Sequence, residues 1–200
     1  MLPAAVLTGP RVTLKPLEIS DTDNELLFDQ LFAALTHEKS GDLFQYMTLG
    51  PFENAASLRD HYYRLYAQSD VLVYLVCLDS TAIGSFSFFH CSPNDKRVEI
   101  GVVWIGGEYH GRGLAVEVAY LMLQHAFENT TNPVQRVEWS AHHLNVASQA
   151  AATKIGFVYE GTLRKHRFYK NQVRHSFMYG IIDEEWVEKK ERLKGLIRVE

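Results

Sequence analysis

The run His110-Gly111-Arg112-Gly113-Leu114-Ala115 is where this chain concentrates groups able to do chemistry. Gly106, Gly107, Gly111 and Gly113 fall close together, where backbone must turn sharply or approach something closely. The stretch before them, residues 99–105, reads as a covered strand, apolar and β-branched. After them, Leu114, Val118, Leu121 and Met122 recur at helical spacing. A strand feeding a glycine loop that opens a helix makes an anion site. The first helical N–H groups have no internal partner, and the positive end of the helix dipole faces the loop. Two phosphate motifs are excluded by spacing. No Gly-Lys-Ser/Thr closes a P-loop, and Val116 stands where the third glycine of a dinucleotide fingerprint belongs. A glycine turn that merely packs tightly fits the run equally well at this point.

Other chemistries find less support. Cys77 and Cys91 lie in apolar, strand-like runs and read as buried thiols of a reducing compartment. Neither has a neighbouring base in sequence that would make it a nucleophile. The nine histidines are scattered without metal-ligand spacing, so no metal site is expected. His142 and His143 are adjacent on an expected strand and should face opposite sides. A net charge of −4 gives no nucleic-acid surface. No stretch reaches the ~20 apolar residues of a membrane span. The N-terminus lacks the basic start and long apolar core of a signal peptide, so the cytoplasm is the expected location.

The elements that must position the loop can be taken in order. Residues 11–17 alternate as a strand, near an edge because of Pro16. Ser20 and Asp23 resemble a capping box for a helix whose apolar face is Leu27, Leu31 and Leu35. Residues 40–52 form an aromatic-rich loop, and a second helix fits 55–68. Strands are expected over 71–78, 82–91, 96–105 and 135–142. Asn145 opens a short helix that Gly156 closes. Residues 157–169 and 173–182 read as a long antiparallel pair, and Asp183 starts a charged final helix. With 200 residues and no repeat or linker, the chain 1–200 reads as one α/β domain with a mixed, mostly antiparallel sheet.

Several segments after the loop recur in a familiar order. They are Arg136-Val137-Glu138-Trp139, Asn145-Val146-Ala147-Ser148, Lys154-Ile155-Gly156-Phe157 and Tyr159-Glu160-Gly161-Thr162-Leu163-Arg164. With the glycine loop, they resemble the GNAT superfamily of acetyl-CoA-dependent N-acetyltransferases, in particular its RimJ/RimL-type branch. The loop resembles that family's Arg/Gln-x-x-Gly-x-Gly/Ala signature, with His110 where Arg or Gln is usual. The resemblance runs from Arg11 to about Trp186. It implies the GNAT fold: a twisted, mostly antiparallel sheet flanked by helices, with central strands splayed on either side of the loop and its helix. It implies acetyl-CoA as co-substrate, its pyrophosphate on His110, Gly111, Arg112, Gly113, Leu114 and Ala115. The pantetheine arm would pair with the backbone of Val103 and Ile105, beside Asn145 and Ser148. Tyr46, Phe52 and hairpin residues 166–170, His166 among them, would border the acceptor amine.

Acetyl transfer needs a neutral amine and a proton for the leaving thiol. The resemblance places Ser148 near the sulfur as the proton donor, and Glu160 is expected to help deprotonate the amine. Each has a plainer reading. Asn145 and Ser148 suit an N-cap and the third position of a helix, and Glu160 suits a solvated strand or an ion pair with Arg164. A non-catalytic acyl-CoA sensor is the second functional reading. The acceptor is open between a small amine and a protein N-terminus, and a homodimer is left open.

Overall fold

The computed structural model describes residues 2–128 and 133–197. Eight strands form one sheet in the order β1-β2-β3-β4-β5-β6-β8-β7. They are β1 (Leu7–Thr8), β2 (Val12–Pro16), β3 (Leu72–Leu78), β4 (Thr81–Ser92), β5 (Arg97–Ile105), β6 (Arg136–His142), β7 (Val158–Tyr169) and β8 (Gln172–Ile182). Five helices flank them: α1 (Asn24–Thr36), α2 (Ala55–Tyr66), α3 (Leu114–Phe127), α4 (Val146–Ile155) and α5 (Asp183–Leu196). Every neighbouring pair is antiparallel except β5 and β6. Those two are parallel because α3 crosses over between them.

The alternation of the strands builds two cores. Val98 and Ile100 of β5, Val137 and Trp139 of β6 and Tyr179 and Ile181 of β8 face α3, α4 and α5. On the other face, α1 and α2 cover only the first half of the sheet, packing Leu31, Phe28, Leu58 and Tyr62 over Val73, Leu75 and Trp104. Asn54 caps α2 through its side chain, and Gly156 ends α4 with a φ of 112° that disfavours other residues. Past β5 no helix covers that face among the described residues. There the inward positions of β5, β6 and β8 carry Glu99, Ser140, Arg174 and Ser176, joined by hydrogen bonds, and Glu138, which pairs with Arg97. One side of the sheet is therefore half core and half polar floor.

The expected elements are all found, with local differences. The Ser20/Asp23 capping box does not form. Helix α1 begins at Asn24, and Asp23 instead donates its own N–H to Asp21 Oδ1. The two-residue β1 lies outside β2, and periodicity over two residues cannot announce it. No helix of the described residues is long and apolar enough to cross a membrane.

Candidate active site

Strands β5 and β6 pair for only three residues each, Arg97–Glu99 against Arg136–Glu138. Beyond Glu99 they part, so the later half of β5 has β4 on one side and a gap on the other. The bend is made in β5 itself. Ser85 pairs with Trp104 but Ser87 with Gly101, so β5 carries one residue more than β4 across that interval. Val102 takes up the extra residue at φ 51°, a left-handed conformation that a β-branched side chain resists. Bulges of this kind recur where a strand must be re-aimed beside a site. The gap opens into a cleft of about 540 Å³ that runs through the sheet.

One end of the cleft is the glycine loop. His110, Gly111, Gly113, Leu114 and Ala115 line it, with Val103 and Ile105 on the strand wall. Gly111 and Gly113 both have φ 77°, and a Cβ on Gly111 would meet nothing within 4 Å. A Cβ on Gly113 would meet only Arg11 Nη2 at 3.9 Å. The space above both glycines is thus open for a ligand. Among the described residues, the amides of residues 111–115 donate to no protein acceptor, and the 14-residue helix α3 starts there. Orphan amides and the dipole's positive end give the loop an appetite for phosphate. Arg112 does not line the cleft; its guanidinium sits 5.9 Å from the centre of the Tyr109 ring. His110 holds the loop by more than its backbone, for its Nε2 donates to the Ile105 carbonyl at 2.8 Å. The loop is fastened from behind as well. Glu117, fully buried, accepts from the Arg11 and Val12 amides and from Arg11 Nε, and Arg11 Nη1 donates to the Arg112 carbonyl.

Across the gap, α4 brings Asn145, Ser148 and Lys154 to the cleft. Asn145 Oδ1 accepts the Ser148 N–H at 3.0 Å, so the capping reading holds. Capping does not use up Ser148. Its Oγ accepts from Trp139 Nε1 at 3.1 Å, which leaves the hydroxyl proton to be donated elsewhere.

The polar floor forms the other end. Glu99 and Ser140 line the cleft, and Ser140 Oγ donates to Glu99 Oε1 at 2.7 Å. His90 Nε2 stands 3.7 Å from Glu99 Oε2. Arg174 reaches Ser176 Oγ with Nε at 3.0 Å and Ser140 Oγ with Nη2 at 3.4 Å. His142 accepts the Leu144 N–H on Nδ1, so its proton sits on Nε2. Burial, then the neighbouring His143, Arg174 and His175, push its pKa down to about 4. The expected divergence of His142 and His143 does not occur. The strand ends at His142, the chain turns, and the two imidazoles stack with centres 4.5 Å apart. Tyr46 closes the roof, its ring 5.1 Å from that of His142. Two latches from the hairpin hold the roof loop: Tyr169 donates to the Tyr46 carbonyl and Lys170 to those of Phe44 and Leu49.

Besides Arg112, three candidates fall outside the cleft. Phe52 packs behind the roof on Phe44 and His61. His166 bonds Ser176 Oγ, one step removed through Arg174. Glu160 is bound by both Arg136 Nη atoms, and the pair spans β8 over Gly180, whose missing side chain makes room. The register shift between Tyr159 and Gly161 leaves Glu160 as the unpaired residue of a bulge. The Arg136 guanidinium holds its pKa below the usual carboxylate value. Arg136, not Arg164, is the cation of the ion-pair reading. Glu99, Arg174 and His142 are the cleft groups that sequence reasoning passed over. A lone glutamate opening an apolar strand was the available signal for Glu99. The thiols are unsuited to carry an acyl group, since burial raises the pKa of both, Cys91 to about 11. No group of three or more His, Cys, Asp or Glu among the described residues is placed to hold a metal ion.

Comparison with known proteins agrees with this geometry. Residues 11–158 match the sequence model of the acetyltransferase (GNAT) domain. A crystal structure described as a probable acetyltransferase of the GNAT family from Chromobacterium violaceum is 30% identical, with a TM-score of 0.82. That match covers 92% of this chain and 89% of the other. A GCN5-related N-acetyltransferase from Brucella melitensis is 25% identical with a TM-score of 0.87, over 98% of this chain and 86% of that one. YdaF of Bacillus subtilis, named as a candidate ribosomal N-acetyltransferase, is 28% identical over 62% of this chain and 66% of its own length. The chain belongs to the GNAT acetyltransferase family.

Proposed function

We propose that this acetyltransferase moves an acetyl group from acetyl-CoA to a primary amine by direct transfer, with both substrates held in the cleft together. The observation that carries the reading is the continuity of the cleft. It joins a phosphate-seeking loop and a free serine hydroxyl on one side of the sheet to a carboxylate floor on the other. The residues fit the co-substrate: the amides of residues 111–115 and Lys154 would hold its phosphates, and Val103 and Ile105 its pantetheine arm. The bound thioester supplies an activated acyl group. Holding it beside the amine contributes on the order of 7–11 kcal/mol by itself.

Within that frame the chain's own groups have modest work. Ser148, oriented by Trp139, gives its hydroxyl proton to the departing thiolate. Glu99 takes the amine proton, directly or across one water, and Ser140 fixes its carboxylate. A lysine-like amine with a reference pKa near 10.4 needs that help more than an N-terminal amine near 7.7–8. Glu160 we assign to the Arg136 ion pair. The whole chain works as one domain in this reading, supported by a single sheet that carries both cores. A cytoplasmic setting is part of it, supported by the free thiols Cys77 and Cys91. A non-catalytic sensor is disfavoured, because it has no use for Ser148 and Glu99 poised across the gap. Incubation with acetyl-CoA and a panel of amines, read by free-thiol release, tests the proposal. Tight acetyl-CoA binding with no thiol release from any amine would refute it.

A further inference from the structure

We propose that the acceptor is an amine that also carries a carboxylate, and that Arg174 and Arg167 hold that carboxylate. The inference rests on the cleft being the transfer site and names the substrate class it takes. Arg174 is only 8% exposed and lines the cleft. A buried guanidinium is ordinarily matched by a carboxylate. Here its partners are two serine hydroxyls and the Tyr169 side chain, and among the described residues it makes no ion pair. Arg167 stands directly opposite it in the β7–β8 register and also lines the cleft. Arg167 likewise makes no ion pair among the described residues. Like charges facing each other across strands destabilise a sheet, unless something anionic sits between them. Arg167 indeed helps burial to lower the Arg174 pKa.

The local charge then fixes what is missing. Among the described residues Glu99 is the one carboxylate of the cleft wall, and it reaches Arg174 through Ser140. Two guanidiniums against one carboxylate leave a single positive charge at the acceptor end. A carboxylate supplies the anion the two guanidiniums lack, and its two oxygens match a guanidinium's paired N–H donors. Glu99 in turn suits the ammonium of the incoming amine. The floor is complementary to a zwitterion: ammonium toward Glu99, carboxylate toward the guanidinium fork. An α-amino acid offers both groups on one small molecule. A peptide N-terminus offers the same chemistry when its first side chain is acidic.

The test uses matched pairs with the full-length protein. Amino acids are compared with their carboxamides, and peptides beginning with Asp or Glu with those beginning with Asn or Gln, at equal fractions of neutral amine. The expected result is a preference of roughly 10- to 100-fold in kcat/KM for the carboxylate member, the range of one charge-assisted hydrogen bond. The preferred arm tells free amino acid from peptide. Arg174→Gln should bring the ratio close to one by raising KM for the carboxylate member, and Arg174→Lys should keep part of it. If Arg174→Gln lowers both members equally, or if carboxamides are accepted as well by the unaltered protein, the inference is wrong and Arg174 merely props Glu99. Should the Arg174 variants fail to fold, Arg167→Gln at the exposed side should still shrink the ratio, and an unchanged ratio overturns the inference. If no amine turns over, the transfer reading falls separately. Calorimetry of the coenzyme A complex with one matched pair then decides: carboxylate-dependent binding supports the inference, and equal affinity overturns it.

Discussion

Removing the Glu117 carboxylate should injure both the stability of the protein and its hold on acetyl-CoA. Glu117 is fully buried and accepts the Arg11 amide at 2.8 Å, the Val12 amide at 3.1 Å and Arg11 Nε at 2.8 Å. Glu117→Ala orphans two backbone donors at the start of β2 and leaves a largely buried guanidinium without its anion. Breaking a buried pair from one side costs about 3–5 kcal/mol. At roughly 2–4 °C per kcal/mol for a chain of this size, the melting temperature should fall by about 6–20 °C. Glu117→Gln keeps an acceptor oxygen and the shape, so its loss should be the smaller of the two. The functional part follows from Arg11, which also donates to the Arg112 carbonyl in the glycine loop. Once Arg11 is released, the loop loses its rear support, so KM for acetyl-CoA should rise while kcat changes little. Thermal denaturation and urea titration measure the first effect, and calorimetry with acetyl-CoA the second. A loss under about 1 kcal/mol with unchanged acetyl-CoA affinity would refute the reasoning, because it would mean the carboxylate is readily replaced by solvent.

Further outcomes are expected along the cleft. Gly113→Val should abolish acetyl-CoA binding in calorimetry, with the circular dichroism spectrum still that of a folded chain, since φ 77° disfavours a side chain and one placed there would fill the open space a ligand needs. Ser148→Ala should lower kcat by about 10²-fold with acetyl-CoA affinity nearly intact, and a drop of only a few fold would remove it as the acid. Glu99→Gln should also cost at least about 10²-fold and recover partly as pH rises, whereas Glu160→Gln should leave turnover within a few fold; the reverse order would restore Glu160 as the base. His142 binds its proton near pH 4 folded but near ~6.5 unfolded, so its protonation favours the unfolded chain. Stability should be level above that range and decline as pH falls from ~6.5 toward 4, and His142→Gln should flatten that part of the urea-midpoint profile.

Period and punctuation revealed the elements, because β3 to β5 are apolar runs closed by turns and Gly156 and Asn145 mark the ends of α4. The loop was legible for a similar reason: a left-handed backbone needs glycine, and glycine is visible in a sequence. The acceptor floor was not. Arg174, Glu99 and Ser140 lie far apart in the chain and meet only because β6 is inserted between β5 and β8. Glu160 was drawn toward the site by its place in a familiar motif. One inserted residue in β7 and the guanidinium of Arg136 turned it elsewhere. Such two-versus-one register shifts leave little mark on composition, and Val102 shows that they need not even use glycine.

The parting of β5 from β6 has a consequence for solvent. The middle of an eight-stranded sheet is where amide protons ordinarily exchange most slowly, since both edges of each strand are bonded. Beyond Glu99, one edge of β5 faces the cleft, so its outward amides are open to deuterium although they lie deep in the fold. Any ligand that lies along Val103 and Ile105 and bonds to that edge will slow them, as if a ninth strand had been added. Exchange at these few amides thus reports occupancy of the cleft without turnover, and it can be read before any acceptor has been identified.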